Sequence, residues 1–516
     1  MPEDVMYFAT VELNTDLSQF SNKEKKMLRY LFEAASIMDD VFWKQTYPGD
    51  RKSLIEAYKN SPDTMAFLNI NYGPWERLGG NKPFVNGYSD KPKGAGFYPI
   101  DMTVEEFNAL EDTNKTHPYT VIKRNAANNT LRVEWYHEAY KKEFEKAAQL
   151  LEKAATLSEN ESFANYLRLR ATALRTSDYY ESDMAWVNVK DSKVDFVIGP
   201  IEHYEDALFG YKTACESYVL IKDVEWSKKL ESIGALLPEL QANLPVSKAY
   251  KAEVPGSDVD INVYDVIFYQ GDCNAGSKTI SVNLPNDIRV QLSKGSRRLQ
   301  LKNTIKYKFD KILVPLSDIL ITPEQRHYIK FDRFFENVTF REIAQGLGIK
   351  RTLKTNEPVR TALKETYSAL EEAKADIAGL YMIEQLHKKG KLTEGDILEN
   401  CVTFFASIFR SVRFGASSAH GRANMLCFNH FLDYGVFSRG DDGFYTLNFE
   451  KMPRAVNALA EKILRIQGDG DYAAAKKWLA EKGTIDPVLQ SDLDRISAAH
   501  IPRDIVYYQG KSVVGL

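Results

Sequence analysis

Apolar side chains at Leu28, Leu31, Phe32, Ala35 and Met38 recur at the three- and four-residue steps of a helix face. This pattern predicts helical structure over 15–60, with Ser21 as N-cap. A loop rich in turn residues, "GGNKPFVNGYSDKPKGAGFYP", separates it from a helix starting near Thr103. Helical spacing returns, strongly charged, from Trp135 to Thr176. Between Val187 and Asn283 the period shortens: "DFVIGPIEHY", "VIFYQG" and "KTISVNLP" are β-branched or aromatic runs bounded by turn residues and read as strands. A helical stretch, "YKTACESYVLIKDVEWSKKLESIGALLPEL", is expected to interrupt them. From Thr322 to the C-terminus nearly everything is helix-periodic. The expected class is α+β, mostly α, with no internal repeat.

The 516 residues suit two to four domains or two large lobes, and 44% hydrophobic with 12% aromatic residues supports a sizeable core. A net charge of −4 gives no electrostatic reason to expect nucleic acid or an anionic membrane surface. Cys215, Cys273, Cys401 and Cys427 follow no C-x-x-C spacing, which argues against a thiolate metal site or a disulfide framework. No apolar run reaches the length of a membrane span. The N-terminus "MPEDVMYFATVEL" has no basic or hydrophobic signal region. A cytoplasmic protein, or an exported one whose signal is absent from this chain, is expected.

Candidate chemistry gathers on two predicted helices. In "FDRFFENVTFREIAQGLG", Phe334, Phe335, Val338, Phe340, Ile343, Ala344 and Leu347 are apolar, while Asn337, Arg341 and Gln345 form one polar stripe at four-residue steps. Gly346 or Gly348 fits the end of this helix. With histidines at 341 and 345, "REIAQ" would be the H-E-x-x-H of a zinc peptidase. Downstream, "SALEEAKADIAGLYM" predicts a helix with Leu370, Ala373, Ile377 and Leu380 on its apolar face. Glu372 and Asp376 lie one turn apart on it, with Glu371 beside them. Adjacent acids repel unless a cation sits near them. Two readings stand: a structural polar stripe facing solvent or an ion pair, and a metal helix that lost its imidazoles.

These segments resemble the dipeptidyl peptidase III family of zinc metallopeptidases, including its shorter bacterial relatives. "REIAQGLG" stands where that family has its histidine–glutamate zinc helix, and "EEAKAD" where it has the Glu-Glu-x-x-Ala-acid motif. "GPIEHYEDALFGYK" is similar to the family's Ile-Glu-Ser-Tyr-x-Asp segment, "VNLPND" to its Asn-x-Pro-Asn strand, and "SAHGRANM" to the segment bearing a further active-site histidine. The resemblance implies two lobes facing each other across a wide cleft. One is a mixed lobe with a strand-rich core, 1–220 with 258–312; the other is a helical lobe, 221–257 with 313–516. It implies Glu372 as the third zinc ligand, Glu342 and His420 as active-site residues, and Tyr204 as the group that polarises the scissile carbonyl. Asn283, Asn286 and Glu202 are implied as substrate-binding.

The departure from the family falls on the ligands, because Arg341 and Gln345 replace its histidines. A guanidinium has no lone pair for a metal, and an amide oxygen is a weak ligand. No zinc is therefore expected. A guanidinium at 341 can instead neutralise Glu342, Glu371 or Glu372. The leading expectation is a peptide-cleft protein, catalytically weak or inactive as a zinc peptidase. The alternatives are a hydrolase using another divalent cation on Glu342, Glu371, Glu372 and Asp376, a metal-free enzyme with Glu342 as base and Tyr204 as electrophile, and a binding or scaffold protein. Asn283 and Asn286 could equally complete turns around Pro285. The glycine loop near Gly87 and the turn at Cys273 match no phosphate or nucleophile motif. Oligomeric state is not legible in the sequence.

Overall fold

The computed structural model describes residues 8–253 and 260–516. They divide into two compact units: 8–227 with 260–304 and 504–516, and 228–253 with 305–503. Changeovers were expected at 220/221 and 312/313; the contacts place them at 227/228, 304/305 and 503/504. The boundary expected at 257/258 falls outside the described residues, as do the first seven residues of the stretch read for an export signal. Among the described residues no helix is long and apolar enough to cross a membrane.

The first unit contains β1 (Phe8–Glu12), β2 (Val194–Glu202), β3 (Ala214–Lys222), β4 (Ile261–Gly271), β5 (Ser281–Leu284), β6 (Arg297–Leu301) and β7 (Asp504–Tyr508). Five of them form one sheet in the order β2-β3-β4-β6-β5. Only β4 and β6 run parallel in it, and β5 lies at an edge. Four helices matter to its packing: α1 (Asn22–Thr46), α2 (Lys141–Leu157), α3 (Glu161–Thr176) and α4 (Tyr180–Val187). Ser21 caps α1 through a reciprocal box with Glu24, accepting from the Glu24 amide at 3.1 Å. The predicted face of α1 is buried, and it lies across β3 and β4 with α2 alongside.

Two expectations fail in this unit. Residues 214–222 are a strand and not a helix. β3 is interior to the sheet, and its residues from Ala214 to Leu220 are all buried. A strand covered on both faces shows no alternation, and a short apolar run then cannot be told from a buried helix by period alone. The C-terminus is likewise not helical throughout: β7 pairs in parallel with β1, placing Ile505 opposite Ala9. "IVYY" follows Pro502, and this β-branched and aromatic run favours a strand.

The second unit is mainly helical. It includes α5 (Phe331–Ala344), α6 (Tyr367–Lys388), α7 (Ile397–Val412), α8 (Ala419–Asp433) and α9 (Met452–Asp469). Buried positions run around α6 on all sides, as expected of a helix packed against α5, α8 and α9 at once. This makes α6 the axis of the unit. In the first unit, Ile505 is fully buried, and Ile505→Ala should lower stability by about 2–4 kcal/mol, read from urea unfolding. A change under about 0.5 kcal/mol would mean that β7 contributes no packing.

Candidate functional site

Helices α5 and α6 touch where α6 has no side chain. A Cβ added at Gly379 would lie 3.0 Å from the Arg341 amide nitrogen and 3.1 Å from its Cα. The glycine lets the two backbones approach closely, at the price of the propensity that alanine would add. With α5 held so near, the Arg341 guanidinium meets three carboxylates. Its Nε donates to Asp376 Oδ1 at 2.8 Å, its Nη1 donates to Glu342 Oε1 at 2.6 Å, and its Nη2 donates to Glu372. The Arg341 side chain keeps 17% of its exposure and that of Asp376 only 8%. Burial raises the Asp376 carboxyl above its ordinary pKa, while the guanidinium pulls the other way. Burial also weakens the hold of Arg341 on its proton, and the acids, Asp376 foremost, more than restore it.

Of the three acids offered as alternative partners of Arg341, Glu342 and Glu372 meet it and Glu371 does not. It accepts from Lys374 Nζ at 2.7 Å and from Gln467 Nε2 at 2.9 Å. Lys374 also donates to the Leu347 carbonyl at 2.7 Å and to the Gln345 carbonyl at 3.3 Å. It thereby satisfies carbonyls left open where α5 ends. Burial drives the Lys374 pKa down to about 8, with Glu371 opposing the shift. Gln345 is the C-cap of α5. Gly348, rather than Gly346, takes the left-handed conformation after it, with φ +90°. His420 opens α8 with its Nε2 3.5 Å from Glu372 Oε2, so it borders the arginine cluster. Asp376 was expected one turn from Glu372 and as a possible ligand of another divalent cation, not as a partner of Arg341, and Gly379, Lys374 and Gln467 were missed. A glycine inside an otherwise apolar helix was the available signal for close approach.

The remaining candidates lie in the first unit. Glu202 ends β2, with Tyr204 two residues beyond and 86% exposed. Asn283 is exposed on edge strand β5, opposite Arg298 of β6. Asn286 donates from Nδ2 to the Ile201 carbonyl at 2.9 Å, bringing the segment after β5 to the end of β2. Burial raises the Glu202 carboxyl, while a bond from Asn286 opposes the rise. The segment carrying Tyr204 is anchored by its neighbour Glu205, which is buried. Arg77 Nη1 donates to Glu205 at 2.8 Å, and Lys91 and Thr46 donate to it as well. Against its burial, Arg77 and Lys91 lower the Glu205 pKa to about 2.

The sequence profile of peptidase family M49 matches residues 100–318. The structure of dipeptidyl peptidase III from Caldithrix abyssi superposes with a TM-score of 0.93 at 37% identity, covering 99% of this chain and 100% of that one. The chain belongs to the dipeptidyl peptidase III family, peptidase family M49. Dipeptidyl-peptidase III from Corallococcus sp. strain EGB gives a TM-score of 0.82 at 34% identity, over 98% of this chain and 97% of that one. Nudix hydrolase 3 of Arabidopsis thaliana is 33% identical over 567 residues, spanning 98% of this chain and 73% of that protein. The family fold, a strand-rich sheet core with helical parts, is thus present, and the M49 family is zinc-dependent in general.

Two outcomes follow from this geometry. Gly379→Ala should destabilise by about 1–3 kcal/mol, because the contact is with backbone that has little room to shift. Equal or higher thermal stability would show that the helices have slack there. The second concerns acid. The pKa of Glu205 is depressed in the fold from an ordinary 4.5 to about 2. Its stabilising share is therefore complete above pH 4.5 and lost as pH falls from there towards 2. Wild type should lose on the order of 3 kcal/mol across this window through Glu205, and Glu205→Gln should show a correspondingly shallower acid limb. Identical limbs would contradict the assignment.

Proposed function

We propose that this protein is a metal-free peptide-binding member of the family, weak or silent as a zinc peptidase. The observation that carries this reading is the Arg341 guanidinium donating at once to Glu342, Glu372 and Asp376. Those acids surround the place where the resemblance puts the metal, and the cation there is part of the chain. Zinc favours nitrogen, sulfur or carboxylate donors in number. Here a guanidinium and an amide stand at 341 and 345, and the carboxylates already hold hydrogen bonds from a permanent cation. The residues present do not fit zinc.

Peptide capture does not require a metal. An extended peptide can add its main-chain hydrogen bonds to the open side of an edge strand, with polar side chains fixing its register. Edge strand β5 supplies the backbone, and Asn283, Asn286 and Glu202 are the side chains proposed to engage the peptide. Tyr204 is proposed as a further peptide contact in the same unit, with no chemical step assigned to it. In this reading Arg341 keeps the acids compensated, so that the helical unit stays folded without an ion.

Calorimetric titration with short peptides in the presence of a chelator tests the proposal. Micromolar to millimolar binding is expected, weakened about tenfold by Asn283→Ala or Asn286→Ala, each removing hydrogen bonds to the ligand. Binding indifferent to both substitutions, or chelator-sensitive peptide cleavage, would overturn it.

A further inference from the structure

The second unit holds a cavity of about 490 Å³ that the peptide reading leaves unused. It lies between α8, α10 (Tyr472–Lys482) and the turn at 364–366 that leads into α6. Ala416, Leu479, Ala480 and Ile485 give its apolar wall, and Arg422, Lys476 and Glu365 its charges. We propose that this cavity binds a small organic monocarboxylate, an apolar body carrying a single carboxylate.

Three observations select this chemistry. Both bases lack a carboxylate of their own: among the described residues neither Arg422 nor Lys476 forms an ion pair. Bases on the same elements do, with Lys482 Nζ 2.6 Å from Asp433 and Lys477 Nζ 3.9 Å from Glu481. The first turn of α8 carries no acid that could compensate Arg422. The second observation is the charge of the wall. Glu365 is already engaged by the Tyr472 hydroxyl, which donates to it. Two bases against one acid leave the wall with a single net positive charge, which a monoanion cancels. A guanidinium presents its donors in a planar fork that matches the two oxygens of a carboxylate. The third is size: the volume exceeds a bare ion and falls in the range of small-ligand sites, and the apolar wall favours burying a hydrocarbon body. Solvent can satisfy either base singly; both line one concavity beside apolar surface, and that combination points to a ligand. The arginine cluster is a different place. His420 borders that cluster, and side chains two positions apart on a helix, as at 420 and 422, point about 200° apart.

The full-length protein is titrated at low ionic strength with phenylacetate, phenylacetamide and acetate, followed by ligand-observed NMR. Phenylacetate should bind with Kd on the order of 1 mM, the range for a ligand of this size. The amide keeps the body and loses the charge, and acetate keeps the charge and loses the body. Each should bind at least about tenfold more weakly than phenylacetate. Arg422→Gln should weaken phenylacetate about tenfold and leave the amide unchanged, as expected for a lost charge-assisted bond. Lys476→Gln should weaken it about threefold. Both side chains are exposed, so both variants should unfold at the wild-type temperature. No phenylacetate binding up to about 20 mM, or affinity indifferent to both substitutions, overturns the proposal. Equal affinity for acid and amide overturns it by removing the charge, and equal affinity for acetate by removing the body. Asn283→Ala and Asn286→Ala should leave phenylacetate binding unchanged, so this proposal and the peptide reading fail independently. A loss of phenylacetate binding in those variants would place the ligand at the peptide strand and contradict the assignment.

Discussion

A single guanidinium among three carboxylates is the interaction on which the helical unit turns. Arg341 bridges α5 to α6 through Asp376 and Glu372 while also binding Glu342 of its own helix. α6 packs against α5, α8 and α9, so the pair of helices and the charge cluster are one object. Desolvating ions is expensive, and such a cluster contributes chiefly by not being broken: removing one partner strands the others. Arginine suits the role because its charge does not titrate away and its five donors can serve several acids at once. A second, separate ion pair, Lys374 with Glu371, then fixes where α5 stops.

This division of labour separates what holds the fold from the charge cluster at the site. Backbone approach at Gly379 and the apolar surfaces of α5 and α6 set the helix geometry, and neither involves an ion. At 34–37% identity the architecture of the dipeptidyl peptidase III relatives is retained over nearly the whole chain. Fold alone does not carry activity, which depends on the groups at the site.

The long elements with one buried face were legible in sequence, α1 most clearly, with its cap and its stripe both in place. β3 was not, because a strand covered on both faces loses the alternation that marks strands, and its long-range neighbours are invisible to a local pattern. β7 was hidden by the helices that precede it, although Pro502 marks the change. At the site, spacing brought Glu372 and Asp376 to one face of α6, where Arg341 reaches both. Of the three acids offered for Arg341, Glu371 is the one that does not reach it: adjacent residues on a helix point about 100° apart, and its side chain turns towards Lys374 and Gln467. The anchoring of Tyr204 by Glu205, Arg77 and Lys91 joins residues over a hundred positions apart and has no local signature.

The central claim is that an arginine occupies the functional place of a metal. Elemental analysis of zinc, after equilibration with excess zinc and desalting, tests it on wild type and on the double variant Arg341→His with Gln345→His. The variant places two imidazoles one turn apart on the helix that faces Glu372 and removes the Arg341 cation. The account predicts well under one zinc per chain in wild type and close to one in the variant. Stoichiometric zinc in wild type, retained until a chelator is added, would contradict it.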